Sequence, residues 1–197
     1  MRLELLESRE TPSFVMTHEG GDSYGRITIQ GDAANDRIIL SDYGNGRFVL
    51  NGVRHDYGTP LEFHIFGGRG NDNIRVSSRA SCMIHGNEGN DTIYAGSGDD
   101  IIQGGSGRDF LYGGYGNDYI QGGDDNDYLN GGAGDDYLSG GRGSDVLYGG
   151  HGNDTFAIWV GQEGPADKFY ASLGDSWLWF RKDGSSTSPF HLMTAFE

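Results

Sequence analysis

GGSGRDFLY (Gly104–Tyr112), GGYGNDYIQ (Gly113–Gln121) and GGAGDDYLS (Gly131–Ser139) are three versions of one nine-residue pattern. From Gly86 to Ala157 the chain divides into eight such blocks without a gap, and a ninth, GGRGNDNIR, stands earlier at Gly67–Arg75. Each block has Asp at its sixth position. Each has an apolar or aromatic residue at its eighth: Ile74, Ile93, Ile102, Leu111, Ile120, Leu129, Leu138, Leu147 and Phe156. The glycine-rich half reads as a turn and the apolar-centred half as a very short strand. Two blocks then make one coil, with alternate turns stacking on the same edge about 4.8 Å apart. The expected fold is all-β: a right-handed parallel β-roll, or β-helix solenoid, with an irregular N-terminal β region and a C-terminal cap.

That geometry lines up acids. One edge carries Asp100, Asp118, Asp136 and Asp154, and the other Asp91, Asp109, Asp127 and Asp145. Like charges at that spacing repel by roughly 1 kcal/mol per pair even in bulk water. The ladders oppose folding unless cations sit between their rungs. Glycine turns also leave backbone carbonyls free to point inward. Carboxylates and carbonyls together make a hard, all-oxygen site, which suits Ca²⁺ better than Zn²⁺ or copper, and better than Mg²⁺, which resists dehydration.

Composition points the same way. The 197 residues hold 14 Lys+Arg against 29 Asp+Glu, a formal net charge of −15, which excludes the basic footprint of a nucleic-acid partner. The 36 glycines demand special turns, and no Gly-x-y period with Pro points to collagen. With 35% hydrophobic residues, a thin core needs help, and a single cysteine, Cys82, rules out a disulfide within the chain. Bound metal is the remaining source of stability. No stretch is long enough to span a bilayer, and Glu4 and Glu7 interrupt the leucines of Met1–Glu10, so no signal-peptide core is read there.

The blocks resemble the GGxGxDxUx nonapeptide of RTX, or hemolysin-type, calcium-binding repeat proteins. The resemblance covers Gly67 to Ala157 and implies that the position-six carboxylates ligate Ca²⁺ between turns of successive coils. Carried over residue by residue, the metal ligands are Asp72, Asp91, Asp100, Asp109, Asp118, Asp127, Asp136, Asp145 and Asp154. Adjoining glycine carbonyls complete each site. Intervals along the two edges give about seven Ca²⁺, bringing roughly +14 against the formal charge. The resemblance also implies a bacterial protein, extracellular or at the cell surface, exported through a type I secretion system; with no catalytic motif in the sequence, no enzyme activity is expected of it. Some turns depart from the pattern: Asn87 and Ala95 replace glycines at positions two and one, and Asp125 replaces one at position four. Asn and Asp tolerate left-handed backbone, whereas Ala95 puts its turn in question.

Outside the array the phase loosens. Asp72 precedes Asp91 by one coil plus one residue, with Val76–His85 as an opposite half-coil closed without metal. Gly31–Ile39 looks like a degraded block whose Asp36 stands two coils before Asp72. Arg26–Gln30, Arg37–Leu40, Arg47–Leu50 and Glu62–Phe66 read as strands. The expected partition is a leader or cap (1–25), irregular β-helix coils (26–85), the regular roll (86–157), and a cap that doubles as a candidate export signal (158–197). The tail carries Trp159, Trp177 and Trp179.

Outward aromatics fall on two faces: Tyr94, Phe110, Tyr112, Tyr128 and Tyr148 on one, Tyr119 and Tyr137 on the other. Stacking between neighbouring strands accounts for them better than a sugar-binding platform, because Thr92, Asn130 and Val146 break the stripe. The six histidines are scattered, with no His-Glu-x-x-His, and neither an EF-hand loop nor a nucleophile elbow is present. Two readings of function follow. One is a stand-alone secreted Ca²⁺-binding structural or interaction module. The other is a non-catalytic repeat module like those attached to alginate epimerases or proteases, or a fragment of an adhesin.

Overall fold

The computed structural model describes residues 2–5, 14–20, 25–160 and 167–181, with side chains for 14–20, 25–157 and 167–176. Among these residues there is no helix, and hence none to cross a membrane. The N-terminal strands are β1 (Arg2–Leu5), β2 (Val15–Gly20), β3 (Gly25–Gln30), β4 (Arg37–Asp42), β5 (Arg47–Leu50), β6 (Val53–Asp56) and β7 (Leu61–Arg69). The repeats form β8 (Asn73–Ser77), β9 (Cys82–Glu88), β10 (Thr92–Gly96), β11 (Ile101–Ser106), β12 (Phe110–Tyr115) and β13 (Tyr119–Asp124). They continue as β14 (Tyr128–Ala133), β15 (Tyr137–Arg142), β16 (Val146–His151) and β17 (Thr155–Val160), followed by β18 (Lys168–Tyr170) and β19 (Ser176–Arg181).

Alternate strands fall on opposite walls. One sheet of ten strands runs β1-β2-β3-β7-β9-β11-β13-β15-β17-β19, and one of nine runs β18-β16-β14-β12-β10-β8-β4-β5-β6. From β7 onward every pairing is parallel, as in Ile102↔Ile120↔Leu138 and Leu111↔Leu129↔Leu147. The fold is a β-solenoid of about six turns. Array strands such as β12 and β13 bury two positions, the eighth residue and the glycine two places on; β10 buries Ala95 in place of that glycine, and β15 buries Ser139 as well. All nine position-eight side chains are fully buried, from Ile74 to Phe156.

The N-terminal part builds its core differently. β1, β2 and β3 pair antiparallel, as do β4, β5 and β6. β7 buries Leu61, Phe63 and Ile65, and β5 buries Phe48 and Leu50. The Phe48 ring packs edge-on to Phe63 at 5.3 Å and stacks on His55 at 4.8 Å.

One phase reading needs correction. Asp36 is not two coils before Asp72: β4 pairs directly with β8, Arg37↔Asn73 and Ile38↔Ile74, so the separation is a single coil. The hairpin β5–β6 is inserted in that coil, and its extra chain length imitates a second turn. The other expected strands appear; of Val76–His85, the first two residues end β8 and Cys82–His85 open β9, on the opposite wall between β7 and β11.

After Ala157, β18 and β19 extend the two sheets by one strand each, and Phe169 packs edge-on to Phe156 at 5.7 Å. The described part of the tail therefore prolongs the roll. Residues 161–166 and 182–197, the rest of the candidate export signal, lie outside the described residues.

The outward tyrosines stack as cross-strand pairs. Tyr94 and Tyr112 lie 4.6 Å apart at 4° and Tyr148 and Tyr170 4.1 Å apart at 6°, while Arg75 covers the free face of Tyr94 at 4.5 Å. Tyr128 leans to contact both Tyr112 and Tyr148, bridging the gap left by Asn130. Rings stacked face to face hide the surfaces a sugar would need, so the stripe serves the sheet.

Candidate metal sites along the two turn edges

The turn conformation follows from glycine at two positions. At position two, Gly105, Gly114 and Gly123 have φ between 118° and 128°, and a β-carbon on any of them would strike the carbonyl oxygen one coil below. L-residues rarely adopt that region, so side chains are excluded twice over, by strain and by space. Asn87 and Asp125 adopt the same handedness, with φ of 81° and 77°, as their tolerance of this conformation leads one to expect. The turn after Ala95 also forms, keeping the Asp100 N–H to Asp118 Oδ1 bond at 2.8 Å.

These turns set the nine predicted aspartates in two columns. Along one edge the N–H of Asp72 donates to Asp91 Oδ1, Asp91 to Asp109, Asp109 to Asp127 and Asp127 to Asp145, at 2.8–2.9 Å. Along the other, Asp100 donates to Asp118, Asp118 to Asp136 and Asp136 to Asp154, at 2.8–3.0 Å. All nine are at most 3% exposed. The step is 18 residues, except 19 between Asp72 and Asp91.

Only one oxygen of each carboxylate is used this way. The other, Oδ2, is buried without a hydrogen-bond partner in all nine. Nine orphaned anionic oxygens are far outside what a folded protein tolerates without counter-charge. Desolvation pushes these carboxyls up, Asp72, Asp91 and Asp145 to about 6, Asp100, Asp109, Asp118 and Asp136 to about 7, and Asp127 to about 8. The ladder bond from the neighbouring N–H opposes that rise but does not cancel it.

Position-one glycines complete the cradle. A methyl on Gly104 would collide with Asp109 Oδ2 and the Gly122 carbonyl oxygen. The same pair of oxygens, own-block carboxylate and next-coil carbonyl, crowds Gly67, Gly86, Gly113, Gly122 and Gly131. At Gly140 and Gly149 the nearest atoms all belong to the own-block aspartate, Asp145 and Asp154. Among the described residues no three His, Cys, Asp or Glu side chains converge, so any ion must take backbone carbonyls beside the carboxylates. That donor set is all oxygen and mixed in charge, which fits Ca²⁺ and disfavours softer metals.

Three members of the ladder were not among the predicted ligands. Asp36 donates its N–H to Asp72 Oδ1 at 2.7 Å, Asp167 accepts from the Asp145 N–H at 3.0 Å, and Asp175 accepts from the Asp154 N–H at 2.9 Å. Asp175 closes its edge internally, its Oδ2 taking the Ser172 N–H. At the other end of that edge, Cys82 stands where an Asp is due, its N–H donating to Asp100 Oδ1 at 2.7 Å. Cys82 is buried, as expected of a small apolar residue.

A second ladder runs beside the first in the opposite sense. Position-five Asn or Asp side chains accept from the N–H one coil later: Asn71 from Asn90, Asn90 from Arg108, Asn117 from Asp135, and Asp135 from Asn153, at 2.7–2.8 Å. The recurrence of Asn and Asp at that position was its only sequence signal.

Stacked glycine turns lined by orphaned carboxylates on both edges define a metal-binding β-solenoid. The RTX calcium-binding nonapeptide repeat model, four copies long, matches residues 64–77, 83–111, 103–138, 112–147 and 130–157. The matched residues therefore carry RTX calcium-binding nonapeptide repeats. No curated protein matches the chain.

Proposed function

We propose that this is a secreted structural or interaction module whose roll folds when about seven Ca²⁺ ions bind between stacked turns. Asp72, Asp91, Asp109, Asp127 and Asp145 serve as ligands on one edge, and Asp100, Asp118, Asp136 and Asp154 on the other. The observation that carries this reading is the buried, partnerless Oδ2 on each of those nine carboxylates. Ca²⁺ supplies the positive charge that such oxygens require, and its free energy of binding becomes free energy of folding. Each chain residue does a definite job: the position-six carboxylate pairs with the ion and the previous N–H, position-one glycine clears the space, and position-eight apolar side chains fill the interior.

Export follows from the same chemistry. A chain that stays unfolded where free Ca²⁺ is scarce and folds where it is near 10⁻⁴–10⁻³ M, about the range of extracellular calcium modules, is suited to passage through a type I secretion channel. The test is far-UV circular dichroism of the full chain titrated with Ca²⁺, with Mg²⁺ as control. β-structure should rise steeply with Ca²⁺ and little with Mg²⁺. A β-rich spectrum indifferent to chelator would sink the reading.

A further inference from the structure

We propose an additional Ca²⁺ site one coil before the matched repeats, between the turn Gly31–Asp36 and the turn Gly67–Asp72. It rests on the calcium reading above and extends it to a region that the repeat pattern does not reach. Asp36 is 2% exposed, and its Oδ1 is buried without a hydrogen-bond partner. Its Oδ2 faces the cradle: a methyl on Gly31 would collide with that oxygen and with the Gly67 carbonyl oxygen, the same pair found at every complete glycine cradle of the array. Both ladders continue through this step. The Asp36 N–H donates to Asp72 Oδ1 at 2.7 Å, and the Asn71 N–H to Asn35 Oδ1 at 2.7 Å.

The turn differs from the array in one respect, since Asp32 and Ala34 stand where glycines do elsewhere, and neither has positive φ. The Asp32 N–H also donates to Asp36 Oδ2 at 2.9 Å, which holds the carboxylate in place and leaves it a free lone pair for an ion. The site has a structural consequence. Because β5–β6 is inserted between β4 and β7, an ion here clamps the strand from which the hairpin departs to the first repeat.

The experiment is native mass spectrometry and hydrogen exchange on the full chain with Ca²⁺ as the only added ligand, comparing wild type, D36N, G31A and D118N. D36N should carry one ion fewer than wild type. At free Ca²⁺ about ten times the site's Kd, it should exchange about tenfold faster over residues 31–42. G31A, which fills the cradle without touching charge, should do the same. D118N should lose ions while leaving residues 31–42 as protected as in wild type. In chelator, D36N and wild type should exchange alike over 31–42, which separates a metal ligand from a merely structural rung. An unchanged ion count in D36N and G31A, with the array loaded, overturns this site and leaves the array reading standing. A wild type that takes up no Ca²⁺ overturns both.

Discussion

Residues 25–66 and residues 86–157 bury their interiors by different means. In β3, β4, β5 and β7 two or three large side chains per strand point inward, among them Ile27, Ile29, Phe48, Leu50, Phe63 and Ile65, and much of the pairing is local and antiparallel. In the array each strand contributes one large side chain beside a glycine or another small residue, and within 86–157 all pairing is parallel between residues 18 apart. Fixing each residue costs roughly 1–2 kcal/mol in backbone entropy. One buried Leu or Ile, contributing roughly 1.5–3 kcal/mol, cannot offset that for a nine-residue block. Three such side chains on one strand come much closer. The comparison teaches that one polypeptide stack joins a region rich in buried apolar side chains to a region that buries few of them and lines its turns with partnerless carboxylate oxygens.

The largest expected effect is a split response to chelation. Hydrogen exchange in EDTA should show residues 86–157 losing protection while residues 25–66 retain most of theirs. Loss of both at the same chelator concentration would break the comparison and make the N-terminal strands dependent on the array.

Core substitutions sharpen it. Leu129→Ala in the array and Phe48→Ala near the N-terminus each open a fully buried site, at a cost of about 2–5 and 3–5 kcal/mol respectively. The Leu129 change should appear as a lower urea midpoint only with Ca²⁺ present. The Phe48 change should appear with and without it. Equal Ca²⁺ dependence for the two variants contradicts separate sources of stability.

Acid should favour folding of the metal-free array, and Asp36, raised by burial, follows the same sign. In the array the folded-state carboxyls titrate above their unfolded value of 3.8, Asp109 at about 7 and Asp127 at about 8. The folded roll binds more protons than the unfolded chain across that window. Metal-free folding is therefore favoured below the unfolded value and lost as pH rises through the folded ones. Glu62 behaves the other way: hydrogen bonding to His64, and secondarily to Arg26, lowers its pKa, so its small contribution is lost as pH falls. Circular dichroism of the chelated protein should show β-structure increasing from pH 8 to pH 5. A decrease over that range would contradict the burial of uncompensated carboxylates.

What the sequence revealed depended on strict period. The position-six and position-eight residues were legible because nine positions make one strand and one turn, and every block repeats both. Asp36 was placed a coil too far away because the inserted hairpin is about as long as one coil, and a count of residues cannot separate the two. Asp167 and Asp175 were missed because they follow Asp145 and Asp154 by 22 and 21 residues, without a glycine turn to mark the phase. Only three-dimensional stacking restores them to the column. The position-five ladder was written in the sequence as repeated Asn and Asp, but its direction depends on which N–H lies above each side chain.

That ladder gives the smallest and most local prediction. Its run along one edge passes from Asn35 to Asn71, Asn90 and Arg108, and resumes with Asn126 accepting from the Ser144 N–H at 2.8 Å. Arg108 receives the line but cannot pass it on, because a guanidinium has donors and no acceptor for the Asn126 N–H. Arg108→Asn restores the acceptor at an exposed position where little else changes. One neutral hydrogen bond contributes about 0.5–1.5 kcal/mol, so the Ca²⁺-loaded protein should unfold at a higher urea concentration by that amount. Asn117→Ala, which removes the acceptor used by the Asp135 N–H on the opposite edge, should lower stability by a similar amount. If Arg108→Asn and Asn117→Ala shift the midpoint in the same direction, the position-five bonds do not hold the coils together. The position-six carboxylates and their ions would then account for the stacking of the array without them.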